Sequence, residues 1–172
     1  MRSITQKNRM IRNFIAVDIP DEIKDKIAEI QMELQPILPK VSWVKPSNIH
    51  LTLKFLGDVA PEQIPSIEDV IRRTVEDQQP FNMEIGSIGA FKNFSQPKVL
   101  WIGVTTNATP IAKLAESLDS TLNCLSFPKE GRKFIPHLTI ARIRNRISLT
   151  EFVSYFDAYD QMDYVPIHVK QI

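Results

Sequence analysis

One cysteine is too few for an internal disulfide, and Cys124 stands alone in this chain. No Cys/His spacing of the kind that binds zinc accompanies it, so neither a disulfide framework nor a cysteine-based metal site is available. That argues against an oxidised, secreted scaffold and makes cytoplasm the default compartment. No uninterrupted apolar stretch approaches the roughly 18 residues of a membrane span, and the polar N-terminus is not signal-like. Net charge is also scarce, only +1. A protein that coats nucleic acid through bulk electrostatics needs many phosphate neutralisations, so any such contact here has to be local, at a cleft.

What remains is the makeup of one soluble globular domain: 172 residues, 43% hydrophobic and 24% charged, enough to bury about two-thirds of the unfolded surface. Residues 1–9 are polar and aperiodic and read as a disordered N-terminal extension; residues 10–172 read as the single domain. Asn13 to Ile19 is a mostly buried strand closed by Pro20. Ile23, Ile27, Ile30 and Leu34 then recur at helical spacing. Val41 to Val44 is a short strand candidate, and Lys45 to Asn48 turns the chain into a second strand, Ile49 to Leu56, stopped by Gly57-Asp58. A helix from about Glu62 to Asp77 tolerates Pro65 in its first turn. Strands are expected over Phe81–Phe91, Val99–Val104 and Phe134–Arg142, a helix through Ile111, Leu114, Leu118 and Leu122, a shorter helix over Ser148–Tyr159, and a last strand over Tyr164–Gln171. This order, without regular β-α alternation, favours α+β over a doubly wound parallel sheet.

Only three histidines occur, and two of them share a pattern: His50-Leu51-Thr52-Leu53 and His137-Leu138-Thr139-Ile140, each on an expected strand. Residues two apart on a strand face the same side. Each segment therefore sets an imidazole beside a hydroxyl, with Leu51, Leu53, Leu138 and Ile140 turned to the core. His168 lacks the pattern. Neutral imidazole accepts a proton from attacking water, and imidazolium gives one to a leaving alkoxide; an ordinary pKa near 6.5 keeps both forms populated around neutrality. Threonine hydroxyls donate to non-bridging phosphate oxygens without adding charge. A phosphodiester is the matching substrate, and a strained cyclic one carries its own leaving hydroxyl. Threonine is a poor metal ligand and no acidic residue neighbours either motif in sequence, so the expectation is a site without metal or other cofactor.

Phe14 to Pro20, Trp43 to Gly57, Gly89-Ala90-Phe91, Val99 to Val104 and Phe134 to Arg142 together resemble, in order, the RNA 2′,3′-cyclic phosphodiesterases of the two-histidine (2H) phosphoesterase superfamily, once called 2′-5′ RNA ligases. The likeness runs from about Arg12 to Ile172. It implies a bilobal α+β fold in which two pseudo-symmetric antiparallel or mixed sheets set the motifs face to face across a cleft, with helices outside. It implies hydrolysis of an RNA terminal 2′,3′-cyclic phosphodiester, or of a cyclic nucleotide, to a 2′-phosphomonoester. His50 would be the proton donor to the leaving oxygen and His137 the acceptor that activates water, a division that spacing alone cannot make. Thr52 and Thr139 would hold the phosphate.

Arg142, five residues after the second histidine, stands where such proteins often carry a phosphate-contacting arginine. Strict alternation turns it away from His137, so that role needs a bulge or a twist. Lys54 reads as a solvated lysine, with contact to RNA as the alternative. Trp43, Phe55, Phe91, Phe94 and Phe134 are candidates for stacking a terminal base, and Lys92, Arg132, Lys133, Arg144 and Arg146 for a basic rim. Related chains usually continue past Gln171 into a closing segment, so the first lobe is expected to lack an edge strand. Two other functions share these residues: the reverse reaction, joining a cyclic end to a 5′-hydroxyl, and a nucleotide- or RNA-binding module without turnover. No membrane and no obligate protein partner are expected.

Overall fold

In a computed structural model of the chain, residues 10–161 and 166–169 are described; the expected N-terminal extension and both ends of the Tyr164–Gln171 strand lie outside them. The elements are β1 (Ile11–Asp18), α1 (Asp21–Leu34), β2 (Ser42–Trp43), β3 (His50–Val59), α2 (Ile64–Val75), β4 (Phe81–Phe91), β5 (Val99–Thr106), α3 (Ala108–Thr121), β6 (His137–Arg142), α4 (Val153–Asp157) and β7 (Ile167–Val169). This is the expected order. The helix foreseen over Ser148–Tyr159 is one short α-turn, α4, flanked by 3-10 turns at Thr150–Phe152 and Ala158–Gln161. The last strand foreseen is β7. The strand foreseen from Phe134 starts only at His137, since Pro136 offers no N–H to a ladder; its carbonyl still accepts from Val104 N–H at 3.3 Å.

The strands follow the order β1-β3-β6-β5-β4-β7, with β2 paired to β6 as well, and every pair is antiparallel. Parallel pairs are therefore absent among the described strands, which settles the antiparallel-or-mixed alternative. The sheet has a seam. β1 and β3 run together from Ile11 opposite Val59 to Asp18 opposite His50, and β5 with β6 from Val99 opposite Arg142 to Gly103 opposite His137. Between those halves, β3 and β6 share a single pair, Leu51 opposite Leu138.

The helical stripes bury as their spacing foretells. Ile23, Ile27, Ile30 and Leu34 of α1 and Ile111, Leu114 and Leu118 of α3, with Leu122 just beyond it, join Ile15, Val17, Leu51, Leu100, Ile102 and Leu138 in one apolar core. Each fully buried aliphatic side chain contributes about 1.5–3 kcal/mol of transfer free energy. On α2 only Ile67 is buried, while Ile64 and Ile71 lie partly exposed against the core. Among the described residues no helix is long and apolar enough to cross a membrane.

Candidate active site at the seam of the sheet

The pair Leu51–Leu138 fixes the site. In an antiparallel register, stepping one residue either way from that pair sets His50 toward Thr139 and Thr52 toward His137. Leu51 and Leu138 are fully buried while all four polar residues are half-buried, so those four share the opposite face. The two imidazoles are diagonal neighbours across a local two-fold axis. Diagonal positions on adjacent strands lie about 7–8 Å apart, the scale of a phosphoryl group with a hydrogen bond on each side.

The two-fold relation extends past the motifs. On β3 the register jumps from Ile15 opposite Lys54 to Ala16 opposite Thr52, leaving Leu53 as an extra residue. On β6 it jumps from Leu100 opposite Ala141 to Trp101 opposite Thr139, leaving Ile140 extra. Each strand thus bulges three residues after its histidine, and the two six-residue runs, His50–Phe55 and His137–Arg142, share one pattern of burial. A bulge shifts alternation by one position. It turns Lys54 and Ala141 inward and brings Phe55 and Arg142 out to the face that carries the motifs. The bulge that an active-site role for Arg142 requires is therefore present.

Buried polar groups around the bulges find partners. The Gln31 side chain of α1 donates to the carbonyls of Ile140 at 2.9 Å and Val44 at 2.8 Å. Lys54 is only 2% exposed; its ammonium donates to Asp119 of α3 at 2.5 Å and to the Pro128 carbonyl at 2.9 Å. The expectation of a solvated Lys54 is thus corrected. Strict alternation cannot foresee the inward turn, because the inserted Leu53 resets it. Burial pushes the Asp119 carboxyl up, but the Lys54 ammonium and the Glu130 N–H outweigh it and hold it below the usual range.

The histidines differ in their surroundings. His137 Nδ1 donates to the Ile135 carbonyl at 2.7 Å, which leaves Nε2 as the lone-pair nitrogen of the neutral ring. Phe91 meets that ring edge-on at a centroid distance of 4.8 Å, and Trp101 lies 6.1 Å away. Burial lowers the His137 pKa, with the Ile135 hydrogen bond working against it, and no charged side chain among the described residues adds to the shift. His50 stacks on Phe14 at 4.5 Å. Burial lowers its pKa too, but here a backbone hydrogen bond at Asn48 and the Asp18 carboxylate raise it while Lys24 and Arg142 lower it. Although no acidic residue adjoins either motif in sequence, the fold puts Asp18 directly opposite His50.

A cleft of about 790 Å³ opens beside Thr52 and His137. Phe55, Phe91 and Phe134 line it, with Lys92, Lys98, Arg132, Lys133 and the Asp119-paired Lys54 as its cations. His50 and Thr139 lie across the Leu51–Leu138 pair from it, and neither they, Arg142 nor Trp43 are among its walls. Trp43 pairs with Ala141 and packs against the core, and Phe94 stacks on Phe156 at 5.6 Å. Arg144 and Arg146 are exposed outside the lining. Three neighbours of the histidines went unforeseen: Phe14, Asp18 and Trp101. All three reach the site through pairing with β3 or β6, and nothing local marks them beyond their place on strands beside the motif strands. Trp101 lies across Gly89, where any Cβ would overlap the ring.

An α+β sheet with two histidine–threonine couples facing one another about a seam defines a two-histidine phosphoesterase architecture. The sequence pattern described as LigT like Phosphoesterase matches residues 17–101. The RNA 2′,3′-cyclic phosphodiesterase of Methanothermobacter thermautotrophicus is 37% identical over 146 residues, 83% of this chain and 78% of that protein. That of Methanocaldococcus jannaschii is 31% identical over 162 residues, 94% of this chain and 88% of that protein, a span too long to omit either motif histidine. The chain belongs to the LigT-like phosphoesterase family. A crystal structure from Thermus thermophilus shares the fold with a TM-score of 0.69 at 24% identity, covering 94% of this chain and 82% of the other. Escherichia coli LigT complexed with 3′-AMP gives 0.68 at 26% identity, covering 82% and 76%.

Proposed function

We propose that this chain hydrolyses the 2′,3′-cyclic phosphodiester at an RNA 3′ end to a 2′-phosphomonoester, in the cytoplasm, with the catalytic groups supplied by its own side chains. The observation that carries the reading is the Leu51–Leu138 register, which draws His50, Thr52, His137 and Thr139 onto one face. In this reading His137 Nε2 takes a proton from water as its oxygen attacks phosphorus. The bond from phosphorus to the 3′ oxygen breaks on the opposite side, and His50 delivers a proton to that oxygen. Thr52 and Thr139 donate to the non-bridging oxygens, and Arg142 balances the charge that gathers on them.

The environments support this division of labour. His137 is the more deeply buried ring, has no carboxylate acting on it among the described residues and has its Nδ1 proton committed to Ile135, as a base should. His50, beside Asp18, is better placed to carry a proton. Phe55, Phe91 and Phe134 offer stacking surfaces for the terminal base, and Phe55, 57% exposed, is the most open of them. Trp43 lacks access to the cleft and is left out of that role.

The test is incubation of purified protein with an oligonucleotide ending in a 2′,3′-cyclic phosphate, in excess chelator, with and without a 5′-hydroxyl partner. Expected is a 2′-phosphate product of unchanged length. A longer product would favour ligation, and binding without turnover would reduce the chain to a binding module.

A further inference from the structure

His50 and His137 sit on matching bulged strands, yet the residues paired with them do not match. Across from His50 stands Asp18; at the two-fold equivalent position, across from His137, stands Gly103. We propose that Asp18, held by Lys24, is a positioning residue for His50: its carboxylate stabilises the imidazolium that hands a proton to the leaving oxygen. This rests on the hydrolytic reading above.

Asp18 is fixed rather than free. Its Oδ1 accepts from the Ile19 N–H at 2.8 Å and from Lys24 Nζ at 3.0 Å. The Lys24 side chain is 13% exposed and that of Asp18 87%, so the carboxylate is wet but oriented. An ion pair this exposed adds little to stability, and stability gives it no reason to stand opposite one histidine alone. Phe14 and Asp18 from β1 and Thr139 and, diagonally, His137 from β6 stand against His50, and the charges of Lys24 on α1 and Arg142 on β6 also act on it. Asp18 raises the proton affinity of His50 while Lys24 and Arg142 lower it, and Lys24 also lies 3.7 Å from the Asp21 carboxylate.

The two partners of the pair therefore act on His50 with opposite sign. Asp18→Asn keeps an oxygen for the Ile19 N–H but leaves Lys24 and Arg142 unopposed. Lys24→Met removes one of those cations and leaves Asp18. In the pH profile of kcat/KM on a cyclic-phosphate oligonucleotide, the alkaline limb, where the proton donor empties, moves to lower pH in the first variant and to higher pH in the second. At pH 8 the expected changes are a fall of about threefold and a rise of similar size, both shrinking in 1 M salt as the charges are screened. Asp18→Glu restores the wild-type profile. Movement of both variants in the same direction, or of the acid limb instead, overturns the proposal.

NMR titration of the His50 ring, assigned with a His50→Gln variant, reads the same coupling without turnover. An unmoved His50 midpoint in Asp18→Asn overturns the inference whatever the activity. A moved midpoint in a protein without activity overturns the hydrolytic reading, and the donor role with it, while leaving the carboxylate–imidazole coupling standing.

Discussion

The half of the sheet around His50 and the half around His137 are built on one plan and finished differently. Both have histidine, buried leucine, threonine, a bulge one residue later, and an exposed side chain five residues after the histidine. The shared plan places two imidazoles about one point. The differences lie in what the neighbouring strands contribute: Asp18, Ala16 and Phe14 on β1 against Gly103, Trp101 and Val99 on β5. Both halves set an aromatic ring against the histidine, Phe14 on His50 and Phe91 on His137, but the first half adds a carboxylate, Asp18, where the second has Gly103. Acid–base catalysis needs one group protonated while the other is neutral, and asymmetric partners bias which of two equivalent imidazoles holds the proton.

The largest expected effect tests whether the halves work as one unit. His50→Ala and His137→Ala should each lower kcat by about 10²–10⁴-fold, and the double variant should lose little more than either alone, because neither group completes the transfer without the other. Additive losses would break the pairing. The wild-type kcat/KM should trace a bell with its maximum below the ordinary imidazole pKa of about 6.5, since burial lowers both rings.

Next comes the inward slot behind each bulge, which holds Lys54 in one half and Ala141 in the other. Lys54→Met strands the Asp119 carboxylate and should cost about 2–4 kcal/mol in urea unfolding, with kcat unchanged. A loss of RNA affinity at unchanged stability would return Lys54 to the substrate. Because the Asp119 pKa is depressed in the fold, the pair's contribution is present above the unfolded carboxylate value near 3.9 and fades as pH falls below it. The wild-type advantage over Lys54→Met should therefore narrow in acid.

The smallest effects concern the residues that the bulges turn outward. Arg142→Leu should lower kcat/KM about tenfold through lost phosphate contact. Phe55→Leu should raise KM about fivefold with kcat nearly intact, as expected of a base-stacking surface. Equal effects on kcat would mean that the two equivalent positions share one role.

Much of this is legible in the sequence. Strand alternation, helical stripes and the Pro and Gly stops fix the element order, and the repeated His-x-Thr spacing singles out the four residues of the seam. What stays hidden depends on register between distant strands. Asp18 looks like the end of a strand until it pairs with His50, and Lys54 looks exposed until the extra residue at Leu53 rotates it inward. Trp43 looks like a stacking ring because its accessibility depends on β2 joining β6, a pairing that no local pattern announces. Cross-strand partners and bulges are properties of two segments at once.

The most direct measurement is a crystal structure with the 2′-phosphorylated nucleotide product bound. The account predicts one phosphate between the two rings, with the facing imidazole nitrogens about 5–8 Å apart and the Thr52 and Thr139 hydroxyls within hydrogen-bonding distance of its oxygens. A phosphate seated against only one histidine, or lodged elsewhere in the cleft, would contradict it.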